Sequence, residues 1–210
     1  MENSSSEALR VVRKATPDDA PGIARVHIAV QGEIYRGVFP DALFDNVSVE
    51  AVVVDKRRKV LEDVDGKSCT FVAEDGNGSI FGYATGGPRR EGPAEYDGEL
   101  YNIFVLEAYQ RQGWGSALWL SVVDFLQVNG NRSLLLWVLK DTGAVSYYER
   151  LNGKKVAERE GRVAGISVVL LCYGWERLDR LSALLALASA SYTELHRGNT
   201  EIHGEIKEKL

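Results

Sequence analysis

Tyr101-Asn102-Ile103-Phe104-Val105-Leu106-Glu107-Ala108-Tyr109-Gln110-Arg111-Gln112-Gly113-Trp114-Gly115-Ser116 is the stretch that decides how this chain is read. The strand that leads into it, from Glu99 to Leu106, is rich in β-favouring residues. Beyond the turn, Leu118, Val122, Phe125 and Leu126 recur at helical spacing within Gly113 to Val128. A strand that passes through a short turn directly into a helix leaves the first amides of that helix without intrahelical acceptors. The aligned peptide dipoles add a partial positive charge at the same point, so a pyrophosphate suits it. Gly113 and Gly115 remove Cβ atoms that would hold anionic oxygens off the main chain, and Arg111 offers a charge-assisted contact. A dinucleotide-binding turn does not fit, because the third glycine is missing from Gly113-Trp114-Gly115-Ser116-Ala117-Leu118 and the unit falls mid-chain. A nucleotide-binding P-loop does not fit either, because no Gly-Lys-Ser/Thr follows.

Upstream, Leu9 to Lys14 reads as a strand, and Thr16-Pro17-Asp18-Asp19 reads as a helix start with a hydroxyl cap and acids near the dipole. Ile23, Val26, His27 and Val30 continue that helix, and Pro40-Asp41 opens a second helical stretch extending through Ser48 to Leu61. Cys69 to Ala73 and Ile80 to Thr85 flank Asp75-Gly76-Asn77-Gly78, a hairpin signal. The polar segment Gly86 to Gly98 reads as a loop able to overhang a site. Ser133 to Leu139 is an apolar run suited to a buried strand, which predicts a strand-helix-strand unit with parallel strands. Thr142 to Leu151 reads as a helix, and Lys155 to Glu158 and Gly165 to Tyr173 as strands. The expectation is an α/β fold: a mixed sheet flanked by helices, over residues 8–177, preceded by a flexible tail at 1–7 and followed by a helical extension at 178–210.

In that extension, Leu178, Leu181, Leu185, Ala188, Tyr192 and Leu195 step by three and four, continued by Ile202 and Ile206. The stripe reads as a terminal helix packed on its own domain, and it also suits the pairing of two copies as a homodimer.

The 210 residues are 45% hydrophobic and 26% charged, which fits one ordinary soluble domain. A formal charge of -5 gives no general attraction to nucleic acid or to an anionic membrane, so neither is expected as a partner. Cys69 and Cys172 sit among apolar neighbours without metal-ligand spacing, so they read as buried thiols, and no metal is expected. Met1 to Arg10 lacks the pattern of a secretory signal, and no window reaches about 18 uninterrupted apolar residues; a cytoplasmic location is expected.

Gln110, Gly113 and Gly115, placed after a strand ending Ile103-Phe104-Val105, resemble the Gln/Arg-x-x-Gly-x-Gly/Ala signature of the GNAT superfamily of acetyl-CoA-dependent N-acetyltransferases. The likeness extends over roughly Leu9 to Trp175 and includes Ala24-Arg25-Val26-His27, Tyr35-Arg36-Gly37, Pro40-Asp41 and the helix Ala144 to Leu151. It implies a mostly antiparallel sheet, split near the cofactor-binding strand. It also implies that Gln110, Arg111, Gln112, Gly113, Trp114, Gly115 and Ser116 hold the pyrophosphate of acetyl-CoA. Ile103, Phe104 and Val105 would pair with the pantetheine arm, and a bulge in their strand would splay it from its neighbour.

The amide of Val105 is the implied oxyanion donor. Glu99, eleven positions before Gln110, takes the place of the family's catalytic glutamate and is the candidate base. Tyr148 aligns with the tyrosine placed near the coenzyme sulfur, and Tyr147 is its packed neighbour. Where the family often has a cofactor-contacting Asn before the last helix, this chain has Asp141 and Thr142. Where the family has Gly-Phe after that helix, it has Asn152-Gly153, both tolerant of the left-handed conformation. His27, Tyr35 and Arg36 fall on the acceptor side, the last able to meet a carboxylate. The expected activity is direct acetyl transfer to a primary amine of a small molecule or peptide; the alternative is a CoA-binding sensor without turnover.

Overall fold

The computed structural model describes residues 11–35, 47–62, 66–140, 142–163 and 166–188. Seven strands form one mixed sheet in the order β1-β2-β3-β4-β5-β7-β6. They are β1 (Val11–Lys14), β2 (Cys69–Glu74), β3 (Ile80–Pro88), β4 (Gly98–Val105), β5 (Leu134–Leu139), β6 (Lys154–Val163) and β7 (Ile166–Trp175). The helices are α1 (Ala20–Tyr35), α2 (Val47–Glu62), α3 (Trp114–Val128), α4 (Ala144–Arg150) and α5 over 178–188. Every neighbouring strand pair is antiparallel except β4 with β5, the parallel pair expected around α3.

The first helix begins in a 3-10 turn, Pro17–Asp19. Asp19 accepts hydrogen bonds from the Thr16 N–H (2.7 Å) and from Arg13 (2.7 and 2.8 Å), satisfying an end the sequence marks with acids. Ile23, Val26 and Val30 of α1 then bury against Val72, Ile80 and Tyr83. The Pro40-Asp41 helix start lies outside the described residues, and α2 is described from Val47. In the β2–β3 hairpin the Asp75 carboxylate accepts from the N–H groups of Asn77 and Ser79, each at 2.9 Å, which fixes the turn.

The other face of the sheet carries α3 and α5. Leu118, Trp119, Val122, Val123 and Leu126 of α3 are fully buried there, while Phe125, expected inside, lies at the margin under the Lys14 ammonium. The pattern 118, 119, 122, 123, 126 is a wider stripe than the sequence reading drew, as a helix lying flat on a sheet requires. Two strands are longer than expected, β6 reaching Val163 and β7 reaching Trp175. Their partners in each other supply hydrogen bonds that a composition of Lys, Glu and Arg does not advertise.

Leu178, Leu181 and Leu185 are at most 1% exposed and belong to the same core as Trp119 and Trp175. The first three leucines of the terminal stripe therefore serve their own domain; Ala188, the next in step, is exposed, and the rest, from Tyr192 onward, lies outside the described residues. We predict that Leu181→Ala lowers unfolding free energy by about 2–5 kcal/mol, whereas Leu187→Ala, at an exposed position, stays within about 0.5 kcal/mol. Chemical denaturation of both variants measures the contrast.

Candidate active site

The site begins where two strands part. β4 pairs with β5 only through Gly98, Glu99 and Leu100 against Leu134, Leu135 and Leu136. Against β3, the register skips Tyr101, since Thr85 faces Asn102 and Gly86 faces Leu100. Tyr101 is thus the extra residue of a bulge, which sharpens the local twist and carries the rest of β4 away from β5. Leu106 N–H donates to Phe81 O at 2.9 Å. By the alternation of an antiparallel ladder, the N–H groups of Ile103 and Val105 then point away from β3, into the gap.

At the end of β4 the chain makes a 3-10 turn, Glu107–Tyr109, and enters α3 with Gly113 as its cap at φ 79°. Arg111 is also left-handed, at φ 58°, which is rare for a side chain of that size. Two side-chain amides hold the turn: Gln110 Nε2 donates to Val105 O and Gln112 Nε2 to Ala108 O, both at 2.9 Å. Gln110 therefore acts on the protein's own main chain, while the exposed Arg111 keeps its guanidinium toward solvent. The first helical bond of α3 is Ala117 N–H to Gly113 O, leaving the amides of Trp114, Gly115 and Ser116 without helical acceptors. A Cβ built on Gly115 would meet nothing within 4 Å beyond its chain neighbours and the backbone of its own helix. The fold itself does not need a glycine there, yet the position keeps one in the first turn of a helix, beside three free donors. An anionic group approaching closely is the physical reason that fits.

On α4, the Tyr147 hydroxyl lies 3.0 Å from Ser116 Oγ, tying α4 to the start of α3. Tyr148 is 7% exposed, its ring edge-on to Trp119 and Trp175 and tilted on Tyr173. Burial pushes its phenol above the usual value, so it keeps its proton at neutral pH. Thr142 donates its hydroxyl to Leu139 O at 2.9 Å, closing the turn after β5; Asp141 lies outside the described residues. Asn152 is left-handed, at φ 59°, and makes the turn after α4 as its residue type allows.

The opposite face of the split is lined from β3, β4, α1 and α2. Leu100, Ile103 and Val105 pack in the core beneath α3, and Phe104 packs with α1, so the bulge puts Tyr101 and Asn102 together on the α1 side. Glu99 is 4% exposed on that face. Its Oε2 accepts from Arg90 N–H (2.7 Å) and Glu91 N–H (3.4 Å), and its Oε1 from the Arg90 guanidinium (2.7 Å). His27 Nδ1 lies 2.6 Å from the Tyr83 hydroxyl, and Arg57 Nη2 approaches both ring nitrogens at 2.9 and 3.2 Å. The imidazole also meets Phe104 edge-on. Tyr35 ends α1, but its side chain and all of Arg36 lie outside the described residues. Sequence spacing did not point to Arg90, Tyr101, Tyr83 or Arg57, because each reaches the site through contacts distant along the chain. A hollow of about 560 Å³ lined by Gln127, Asn131, Arg132 and Glu176 lies at the far end of α3, away from this site.

The sequence model of the acetyltransferase (GNAT) family matches residues 33–153, more than half of the 210 residues. The chain is 33% identical over 174 residues to YuaI of Bacillus subtilis, an uncharacterized N-acetyltransferase, covering 83% of this chain and 97% of that one. The chain belongs to the GNAT acetyltransferase family. Two of the solved structures that share the fold serve as comparison. A ribosomal-protein-alanine N-acetyltransferase from Brucella melitensis has a TM-score of 0.60 at 19% identity, over 79% of this chain and 99% of that one. The PaiA N-acetyltransferase of Thermoplasma acidophilum, in complex with coenzyme A, has a TM-score of 0.54 at 15% identity, over 78% and 98%. The protein is thus an acyltransferase whose family uses acetyl-CoA as donor, and the geometry at Gly113, Gly115 and β4 fits that molecule.

Both cysteines are buried and free, and burial pushes each thiol up to about 12, so neither is a ready nucleophile. Among the described residues no cluster of His, Cys, Asp and Glu suits a metal, and no helix is long and apolar enough to cross a membrane.

Two outcomes test the site. Gly115→Leu leaves the fold intact but lowers coenzyme A affinity by at least about tenfold in calorimetry, since leucine is a good helix former that fills only the open side of the turn. His27 is held down at about 4, first by burial and then by the cations Arg57 and Lys56. The unfolded chain takes up this proton near 6.5, so the native state loses stability as pH falls from about 6.5 toward 4. The stability difference between the native protein and His27→Gln changes across that window in urea titrations. A difference that stays constant from pH 7 to 4 would show that the imidazole titrates alike in both states.

Proposed function

We propose that this acetyltransferase moves the acetyl group of acetyl-CoA directly onto the primary amine of a small molecule or a peptide. The observation that carries the reading is the conjunction of free amides at the start of α3, an open side at Gly115, and an unpaired edge of β4 leading away from them. A diphosphate held at the amides sends its attached chain along the edge of β4, where the outward amides of Ile103 and Val105 can bond it as an added strand would.

Bound acetyl-CoA supplies an activated thioester: the amine nitrogen bonds to the acetyl carbon, the carbon–sulfur bond breaks, and the sulfur leaves as a thiolate. In this reading the Val105 N–H donates to the carbonyl oxygen as negative charge gathers there. The Tyr148 phenol, protonated at neutral pH, gives its proton to the departing sulfur. Glu99 receives one proton of the acceptor ammonium, and the proton that the nitrogen sheds as the amide forms restores the Tyr148 phenol. His27, Tyr35 and Arg36 contribute to the acceptor side, with Tyr83 and Arg57 joining His27 there. His27 stays neutral at pH 7, which makes it a hydrogen-bonding wall and not a charge.

Thiol release from acetyl-CoA across a panel of primary amines tests the assignment; release that depends on the acceptor is expected, and coenzyme binding without it would sink the reading. Tyr148→Phe is expected to lower kcat by on the order of 10²-fold while coenzyme A affinity changes less than about twofold. Equal losses in both measurements would leave Tyr148 as a packing residue.

A further inference from the structure

Arg90 sits in a seat shaped for a cation. Its guanidinium donates to Glu99 Oε1 at 2.7 Å through Nη2 and 3.3 Å through Nε, and its central carbon lies 3.6 Å from the centre of the Tyr101 ring. The seat is fixed and the occupant is loose: the Glu99 side chain is 5% exposed, the Arg90 side chain 57%. Tyr101 is held by its hydroxyl, which donates to Pro88 O at 2.6 Å, and the bulge directs its ring to the face shared with Glu99. Glu99 Oε2 is taken by main-chain N–H groups, so Oε1 is the oxygen that the occupant satisfies.

A buried carboxylate oxygen needs a donor, and a carboxylate combined with an aromatic face recognises alkylammonium as well as guanidinium ions. The acceptor of an N-acetyltransferase is itself an ammonium ion before it reacts. Arg90 belongs to the loop between β3 and β4, which is also tied down by the pair Glu91–Arg159 and by Arg89 Nε donating to Tyr96 O at 2.9 Å. The loop can therefore stay in place while one exposed side chain swings out.

From this geometry we infer that Arg90 is a built-in occupant of the acceptor's cation subsite, formed by Glu99 and Tyr101, and that an alkylammonium acceptor enters by displacing it. The inference rests on the acetyl-transfer reading and gives it a substrate class: amines whose charged nitrogen reaches a carboxylate and an aromatic ring. It also explains how Glu99 is freed to act, since in this structure both of its oxygens are engaged.

Ethylammonium binding, followed by calorimetry, tests the subsite without knowledge of the natural acceptor. Arg90→Ala is expected to bind ethylammonium at least about tenfold more tightly than the unmodified protein. Arg90→Gln, which keeps the loop's bulk but not the charge, should show the same gain. Arg90→Lys refills the seat with its own ammonium and should return affinity to the starting level. Adding Glu99→Gln to Arg90→Ala should abolish the gain. The inference is overturned if neither neutral variant binds ethylammonium more tightly, or if the gain survives Glu99→Gln. Coenzyme A titration of the unmodified protein is the separate control: its failure would remove the acetyl-transfer reading, whereas an absent ethylammonium gain with coenzyme binding intact would remove only the subsite.

Discussion

The molecule depends on a strand pairing that stops. At its closed end the junction of β4 and β5 is clamped by Asp97, whose carboxylate accepts from the N–H groups of Arg132 and Ser133 and from the Ser133 hydroxyl, each at 2.9 Å. Burial alone would raise that carboxyl, but the donors from Arg132 and Ser133 outweigh it and hold the group below its usual range, so it remains an anion tying two strands together. Four residues further on, the bulge at Tyr101 turns β4 aside. Unpaired main-chain groups inside a protein are tolerated only if something bonds them, and a ligand arm carrying amides is such a partner. The clamp and the bulge therefore work together, one fixing where the gap begins and the other making it open.

The turn at the end of β4 sets free main-chain donors at one end of that gap. Left-handed Arg111 stores strain on the order of 1–3 kcal/mol, which the surroundings must offset. The Gln110 and Gln112 side chains do so by bonding carbonyls of the strand end and the 3-10 turn. Phe81 stacks on Tyr109 and meets Trp114 edge-on, anchoring both sides of the turn to β3. In consequence the free amides of α3 are aimed by covalent continuity with β4 on one side and by aromatic packing on the other. Trp119, further along α3, then joins the helix to Tyr148 and Trp175, so the start of α3, Tyr148 and the last strand share a single core.

The donor half of this arrangement was legible in sequence because it is local. Gly113 is left-handed and Gly115 faces open space, and both lie within a few residues of the end of β4, so spacing alone makes them visible. The hairpin at Asp75 and the parallel unit around α3 were readable for the same reason. The two long strands β6 and β7 were underdrawn because their pairing partners decide their length, and mid-strand Glu160, Gly161 and Arg162 look like a loop in isolation. Phe125 and Trp119 exchanged places for a similar reason: helical period gives a stripe, and only the curvature of the sheet beneath says where its edges fall.

The acceptor half was legible only at His27 and Glu99, because the rest of it is assembled from side chains far apart in the chain. His27 meets Tyr83 across 56 positions and Arg57 across 30, and Glu99 meets Arg90 only because the β3–β4 loop folds back. The difference follows from what each half must recognise. A diphosphate and an amide-bearing arm are shared by every reaction that begins from acetyl-CoA, and main-chain donors satisfy them with little demand on side chains beyond glycine. An acceptor is distinguished by its charge and shape, which only side chains can read. The donor site is accordingly written in backbone conformation, and so in a short motif. The acceptor site proposed above is a constellation of His27, Arg57, Tyr83, Arg90, Glu99 and Tyr101, which exists only once α1, α2, β3 and β4 have come together.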